Sequence, residues 1–117
     1  MIPLNLRTCL YITRQALKGR VKIDQVFDVV VLQKTVLWPI VPPQGSTILV
    51  GRNDWEEEEC EEYAIEGITW DFAHGQVIIQ LDEFEIEDCD AEAKLQVLKE
   101  AGFEQVSRGP PEPDEAV

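Results

Sequence analysis

Stretches of β-branched and aromatic residues, separated by proline and glycine, constrain the fold of this chain more than any other feature. They lie at residues 26–38, 46–50, 63–72 and 76–86 of the 117. Such residues favour extended backbone because their side chains pack well on a pleated surface. The sequence therefore predicts four or five short strands.

Breaks in the alternation of these stretches predict local irregularities. The apolar positions change phase at residues 66–67, which is typical of a β-bulge, and again at 82–83. Residues 73–75 connect two strand patterns closely enough for a tight hairpin. Trp38 and Trp70 lie within strand patterns, and we expect both in the core.

The C-terminal third predicts one amphipathic helix. Its apolar stripe, at helical spacing, consists of Ala91, Leu95, Leu98 and Ala101. Asp88 or Asp90 can cap the start of this helix, and Gly102 suits the left-handed position that ends one. Phe103 can then pack back onto the apolar stripe.

Residues 4–18 fit two patterns. Alternating apolar residues up to Ile12 favour a strand, whereas an apolar stripe up to Leu17, followed by Gly19, favours a helix. The glycine and the basic residues before it tip the interpretation towards the helix.

The predicted fold class is α+β. It comprises a small curled antiparallel β-sheet or barrel of four to five strands with a C-terminal helix and, in the helical interpretation of residues 4–18, a second helix. Residues 1–106 form the predicted single domain. The proline- and acid-rich residues 107–117 form a predicted disordered tail.

Turn and core residues between about 27 and 81 form a pattern. They comprise Val36-Leu37-Trp38-Pro39, Pro42-Pro43-Gln44-Gly45, Ile48, Tyr63, Ile68-Thr69-Trp70-Asp71 and Val77-Ile78-Ile79-Gln80-Leu81. This pattern resembles that of small uncharacterised β-rich proteins of bacteria and phages. The resemblance implies a β-rich fold and assigns no function to any residue.

Charge is divided unevenly along the chain, whose net charge is −13. Residues 1–53 carry seven basic and two acidic groups, whereas residues 54–117 carry three basic and 21 acidic groups. This balance argues against direct binding to nucleic acids or to anionic membranes. No apolar run is long enough for a transmembrane helix, and no signal-peptide pattern is visible. Either the two halves neutralise each other within the fold, or the acidic half faces a basic partner.

We expect the acidic surface in two clusters, at residues 55–62 and 83–90. The candidate binding residues are Trp55, Glu56, Glu57, Glu58, Glu59, Glu61, Glu62, Glu83, Glu85 and Glu87. No apolar pattern accounts for Trp55, so it is either an interaction hot spot or a cover over the open end of the barrel. The alternation of the last three glutamates also suits a solvated face or a protected sheet edge.

Three cysteines and one histidine are the candidates for catalysis or metal binding. A nucleophilic site would need Cys60 or Cys89 beside His74, oriented by Asp71. A closed zinc site could add Cys9 to these residues, but the short paired spacings of zinc sites are missing. Residues 88–93 resemble the start of a calcium loop without its glycine, and helix capping accounts for their acids more simply.

We therefore predict that the chain is not an enzyme and has no cofactor and no metal. The odd number of widely spaced cysteines predicts a reducing cytoplasm and not a disulfide framework. The predicted function is a non-enzymatic acidic interaction or regulatory module that binds a basic protein surface, with a nucleic-acid mimic as a special form. The alternative is a small structural or assembly subunit, phage-related or self-associating, and a Cys/His enzyme ranks third.

Overall fold

The computed structural model describes residues 1–52 and 54–111. Within these residues the chain forms six strands, one α-helix and one short 3₁₀ turn. Their bounds are β1 Ile2–Lys18, β2 Val21–Trp38, β3 Thr47–Val50, the 3₁₀ turn Glu57–Glu59, β4 Glu61–Asp71, β5 Gln76–Glu87, α1 Asp88–Glu100 and β6 Glu104–Gly109. The strands form one sheet in the order β3-β4-β5-β1-β2-β6.

The sheet is mixed and open. β1 and β5 pair in parallel, and the other four neighbouring pairs are antiparallel. β5 and β6 therefore run in the same direction on either side of the β1–β2 hairpin, and α1 makes the crossover that parallel strands require. Of the described residues, 62% lie in strands and 15% are helical.

The predicted antiparallel α+β sheet or barrel of four to five strands is therefore wrong. The sheet does not close, because its edges are the four-residue β3 and the six-residue β6, which do not pair with each other. The pairing of β1 with β5 joins residues more than seventy positions apart. Alternation within a strand gives no indication of such a partner.

The predicted N-terminal helix is also wrong, because residues 2–18 form β1. This strand pairs with β2 along its whole length, from Ile2 opposite Trp38 to Lys18 opposite Val21. Gly19 has a φ of +68° in the turn between the two strands. Glycine adopts this left-handed conformation both after helices and in two-residue hairpin turns. The residue that indicated a helix end therefore belongs to a hairpin.

The core lies between α1 and one face of the sheet. The helical stripe is buried as predicted, with Leu98 fully inaccessible and Leu95 1% exposed. Strand residues fill the space below it: Leu4, Leu10, Ile12, Val30, Leu32, Tyr63, Ile65, Ile79 and Leu81. The Phe103 amide donates to the Leu98 carbonyl at 3.0 Å, and Gly102 has a φ of +98°. The predicted glycine cap and the packing of Phe103 are both confirmed.

Both predicted changes of phase are found as register shifts. One separates Ile65 from Gly67 in the β4–β5 pair, which confirms the predicted bulge. The other lies where β5 advances from Gln80 to Glu83 beside β1. The predicted hairpin after β4 is confirmed by a turn at residues 72–75.

The two strand tryptophans are not in the core. Trp38 is 48% exposed and Trp70 is 57% exposed. Trp38 is the last residue of β2, and Trp70 is the last but one of β4. The apolar alternation continues to these strand ends, but α1 does not cover them.

The predicted tail boundary at residue 107 falls within β6. Residues 104–109 pair with β2 in an antiparallel arrangement. Residues 112–117, the acidic remainder of the predicted tail, lie outside the described residues.

Candidate interaction surface

The first acidic cluster forms an exposed turn at the β3–β4 connection. We call residues 56–59 the acidic turn, because all four are glutamates and all are exposed. The loop beneath it closes around Gly51. A Cβ atom at Gly51 would lie 2.5 Å from the Cys60 sulfur and 2.9 Å from the Trp55 ring.

Trp55 is half-buried within its own loop. The Arg52 guanidinium lies 6.0 Å from the ring centroid and is held by two hydrogen bonds to Asp54, at 2.7 and 2.9 Å. The predicted hot-spot residue therefore packs on Gly51 and anchors the acidic turn.

Glu61 does not belong to the open acidic surface. Its carboxylate is paired with the Lys94 ammonium and accepts a hydrogen bond from the Tyr63 hydroxyl at 3.0 Å. The ammonium also lies 4.9 Å from the Phe84 ring centroid and 5.4 Å from that of Tyr63. Burial raises the pKa of Tyr63, and the negative charge of Glu61 raises it further. Glu61 thus helps to connect α1 to the sheet.

The second cluster follows β5 on the sheet face opposite α1. Glu83, Glu85 and Glu87 are exposed, whereas the intervening Phe84 and Ile86 pack against the core. Tyr11, on the neighbouring β1, donates a hydrogen bond from its hydroxyl to Glu83 at 3.1 Å. Desolvation, followed by nearby Cys9 and the bond to Glu83, raises the pKa of Tyr11 to about 12.

Two further carboxylates join this cluster and were missed in the sequence. Asp82 accepts a hydrogen bond from the Ala64 amide at 2.9 Å across the β4–β5 pair. A hydrogen bond with Asp82, together with desolvation and repulsion from Asp82 and Glu83, raises the pKa of Glu66. Glu66 and Asp82 lie at the two phase changes that indicated the register shifts, and this shared position was the sequence feature that could have placed them in the cluster.

We call Glu66, Asp82, Glu83, Glu85 and Glu87 the acidic sheet face. Glu62 is exposed and, next to inward-pointing Tyr63, points to the same side of the sheet. Arg7 is the cation on this side of central β1, because it lies opposite Gln80. The ten predicted residues thus separate into an edge turn, a central sheet face and one carboxylate paired with the helix.

The structure brings the candidate residues His74 and Asp71 together but places neither Cys60 nor Cys89 beside them. The His74 ring lies 2.8 Å from Asp71, and a hydrogen bond from Gln76 and those from His74 lower the pKa of Asp71. His74 precedes the twelve-residue β5 and Cys89 follows it, which separates them by about 36 Å along the strand. Cys60 likewise lies at the opposite end of β4 from His74.

The thiols of Cys9 and Cys89 are not activated. Burial raises the pKa of Cys9, and desolvation with neighbouring Asp90 and Glu87 raises that of Cys89. Among the described residues, Glu87, Cys89 and Asp90 place potential metal ligands within 4.8 Å of one another. All three are exposed at the start of α1, where the helix dipole favours negative side chains.

Comparison with protein-family models, with curated proteins and with solved structures finds no match to this chain. In the described part of the chain, no helix has the length and apolar character needed to cross a membrane.

Proposed function

We propose that this chain is a non-enzymatic interaction module whose acidic sheet face binds a basic surface of a partner protein. The observation that carries the proposal is the exposure of Glu83, Glu85 and Glu87 on a central strand, on the side that α1 leaves uncovered. Such a surface speeds the encounter with a basic partner and fixes its orientation.

Repulsion within the acidic sheet face supports the same conclusion. A hydrogen bond with Asp82, then desolvation and repulsion from Asp82 and Glu83, raise the pKa of Glu66, so these carboxylates are close enough to disfavour each other's charge. A Lys or Arg side chain placed among them relieves that repulsion. Binding of a basic partner should therefore lower the pKa of Glu66 towards its ordinary value.

The location that we propose is the reducing cytoplasm, in line with the cysteine chemistry. Cys9, Cys60 and Cys89 are all free thiols. Cys60 packs closely against Gly51 in the β3–β4 loop, so a disulfide bond at Cys60 would require this loop to open.

The test compares two variants with the same change in charge. Glu83→Gln/Glu85→Gln/Glu87→Gln neutralises the acidic sheet face, and Glu57→Gln/Glu58→Gln/Glu59→Gln neutralises the acidic turn as its matched control. Each variant and the unmodified protein is immobilised, and proteins captured from an extract are eluted with salt. A basic partner identified in this way is then titrated in pure form by calorimetry.

We expect the sheet-face variant to lose the partner and the turn variant to retain it. The affinity for the unmodified protein should fall steeply with salt. Equal loss from both variants would show that net charge alone drives the capture. Displacement of the partner by duplex DNA at a matched phosphate concentration would favour the mimic form.

A further inference from the structure

The β1–β2 hairpin extends beyond the rest of the sheet. The last residue of β1 that pairs with β5 is Thr13, and the first residue of β2 that pairs with β6 is Val29. Residues 14–25, which we call the hairpin arm, therefore form a two-stranded ribbon with no neighbouring strand. Ala16 is half-buried, and the other residues of the arm are exposed.

The hairpin arm combines exposed apolar side chains with positive charge. Leu17 is 72% exposed, Val21 62% and Ile23 38%. The charged residues of the arm are Arg14, Lys18, Arg20, Lys22 and Asp24, a net charge of +3 in a chain of −13. An isolated two-stranded ribbon has marginal stability in water, so a surface that covers these side chains would stabilise it.

Three of the four apolar residues of the arm, Ala16, Val21 and Ile23, lie on one side of the ribbon, and Leu17 lies on the other. Ala16 lies opposite Ile23, and Lys18 lies opposite Val21. Residues directly opposite each other share a face of a β-ribbon, and so do alternate residues of one strand. This face therefore presents Ala16, Val21 and Ile23 beside the basic side chains of Arg14 and Lys18.

An apolar pocket lies at the other end of the same hairpin. We call it the end pocket; its volume is about 210 Å³, the space of about seven water molecules. Its walls include Leu4, Val36, Trp38, Leu49 and Phe103. Leu4, near the start of β1, pairs with Val36, near the end of β2. The pocket can take one or two branched aliphatic side chains.

The acidic turn lies beside the end pocket. Gly51 lines the pocket and is packed against Trp55 and Cys60, which flank the acidic turn. Lys34 also lines the pocket and Arg52 follows Gly51 in the chain, and both cations are held by groups of the same chain. The Lys34 ammonium donates to the Ala101 carbonyl at 2.7 Å, and Arg52 is held by Asp54.

We propose that the hairpin arm of one copy docks in the end pocket of a second copy. The apolar side chains of the arm match the apolar pocket, and its basic residues match the acidic turn beside the pocket. One chain cannot satisfy both features itself, because Val21 and Val36 are about 50 Å apart along β2. The longest extent of the molecule is 54 Å.

This contact joins two different surfaces and therefore propagates. A heterologous interface makes a ring when its rotation closes and an open chain when it does not. It uses neither the acidic sheet face nor its basic partner, so it is independent of the function proposed above.

The test uses one variant that breaks each side of the contact. Val21→Thr/Ile23→Thr removes apolar surface from the arm and retains strand propensity. Leu49→Lys places a positive charge at the pocket rim, on an exposed position of an edge strand, where lysine is well tolerated. Val106→Thr is the matched control, since Val106 is 53% exposed on β6.

Light scattering after size exclusion should show oligomers of the unmodified protein and of Val106→Thr that grow with concentration. Each test variant alone should be monomeric, with unchanged circular dichroism. Their equimolar mixture should form a dimer and no larger species, because it contains one intact arm and one intact pocket. Glu57→Gln/Glu58→Gln/Glu59→Gln should weaken the oligomers, as should added salt.

Three results would overturn the proposal. The unmodified protein could remain a monomer at every concentration; the mixture of the two variants could fail to dimerise; or neutralising the acidic sheet face, and not the acidic turn, could dissolve the oligomers. A monomer whose arm binds a random-sequence oligonucleotide would instead assign the arm to nucleic acid.

Discussion

The close contact of Gly51 with its own loop leads to a sharp prediction about stability. A methyl group at Gly51 would lie 2.5 Å from the Cys60 sulfur and 2.9 Å from the Trp55 ring, so both must move by about an ångström. Overpacking of this kind costs ~1–3 kcal/mol. We therefore expect Gly51→Ala to destabilise the fold by that amount.

The matched control is Gly67→Ala. The nearest atom to a Cβ at Gly67 is the Gln80 Cβ at 3.7 Å, an ordinary van der Waals contact. This substitution should stabilise the strand by up to ~1 kcal/mol, because glycine loses more backbone freedom than alanine on folding. The two substitutions add the same methyl group and should have opposite signs.

Thermal unfolding measures the difference. At ~2.1 cal/mol/K per residue, the unfolding entropy of 117 residues is about 0.25 kcal/mol/K. Gly51→Ala should therefore lower the Tm by ~4–12 °C. Adding Cys60→Ala removes the closest atom and should restore part of the loss. A Gly51→Ala protein as stable as Gly67→Ala, or a loss that Cys60→Ala does not reduce, would refute the packing of Trp55 and Cys60 on Gly51.

Three further predictions concern charged and titrating groups. Tyr11, with a pKa of about 12, and Tyr63, whose pKa is also raised, should both titrate above the ordinary value of 10 in the native protein and near 10 in urea, as measured by tyrosinate absorbance. Because both pKa values are raised, the linked stability is present below pH 10 and is lost as the pH rises through the folded pKa values. A titration at pH 10 in the native protein would contradict this prediction. Asp82→Asn keeps an acceptor for the Ala64 amide and removes the carboxylate whose hydrogen bond and repulsion raise the pKa of Glu66, so it should raise the urea midpoint at neutral pH. The gain should be absent well below pH 4.5, and an equal gain at both pH values would exclude the electrostatic cause. Lys94→Met keeps the apolar contact with the Phe84 and Tyr63 rings and leaves Glu61 without its cation, so the free energy of unfolding in urea should fall by ~1–2 kcal/mol. A double-mutant cycle with Glu61→Gln that shows no coupling would mean that the ion pair does not contribute to stability.

The candidate site shows where sequence reasoning stops. The alternation of Glu83, Glu85 and Glu87 with Phe84 and Ile86 was sufficient to place the glutamates on one face of a strand. The sequence could not show that Glu61 forms an ion pair with Lys94, because the two residues are 33 positions apart and meet only when α1 packs on the sheet. Glu66 and Asp82 meet for the same reason, across a strand pair.

The sequence by itself determined the features that depend on neighbouring residues. These include the helical stripe ending in Leu98, the glycine cap at Gly102, the bulge before Gly67 and the turn at residues 72–75. Each follows from side-chain periodicity or from the conformations open to glycine, and both act over a few residues.

Only the tertiary structure decided which strands are partners. The parallel pairing of β1 with β5 turns residues 2–18 into a central strand and leaves the sheet open. The long β1–β2 pairing separates the hairpin arm from the end pocket, and Trp38 and Trp70 are exposed at strand ends that α1 does not cover. The physical reason is that several distant segments have similar strand propensity, so the local pattern does not determine which of them pair. Burial of one sheet face against α1 selects the observed pairing and register.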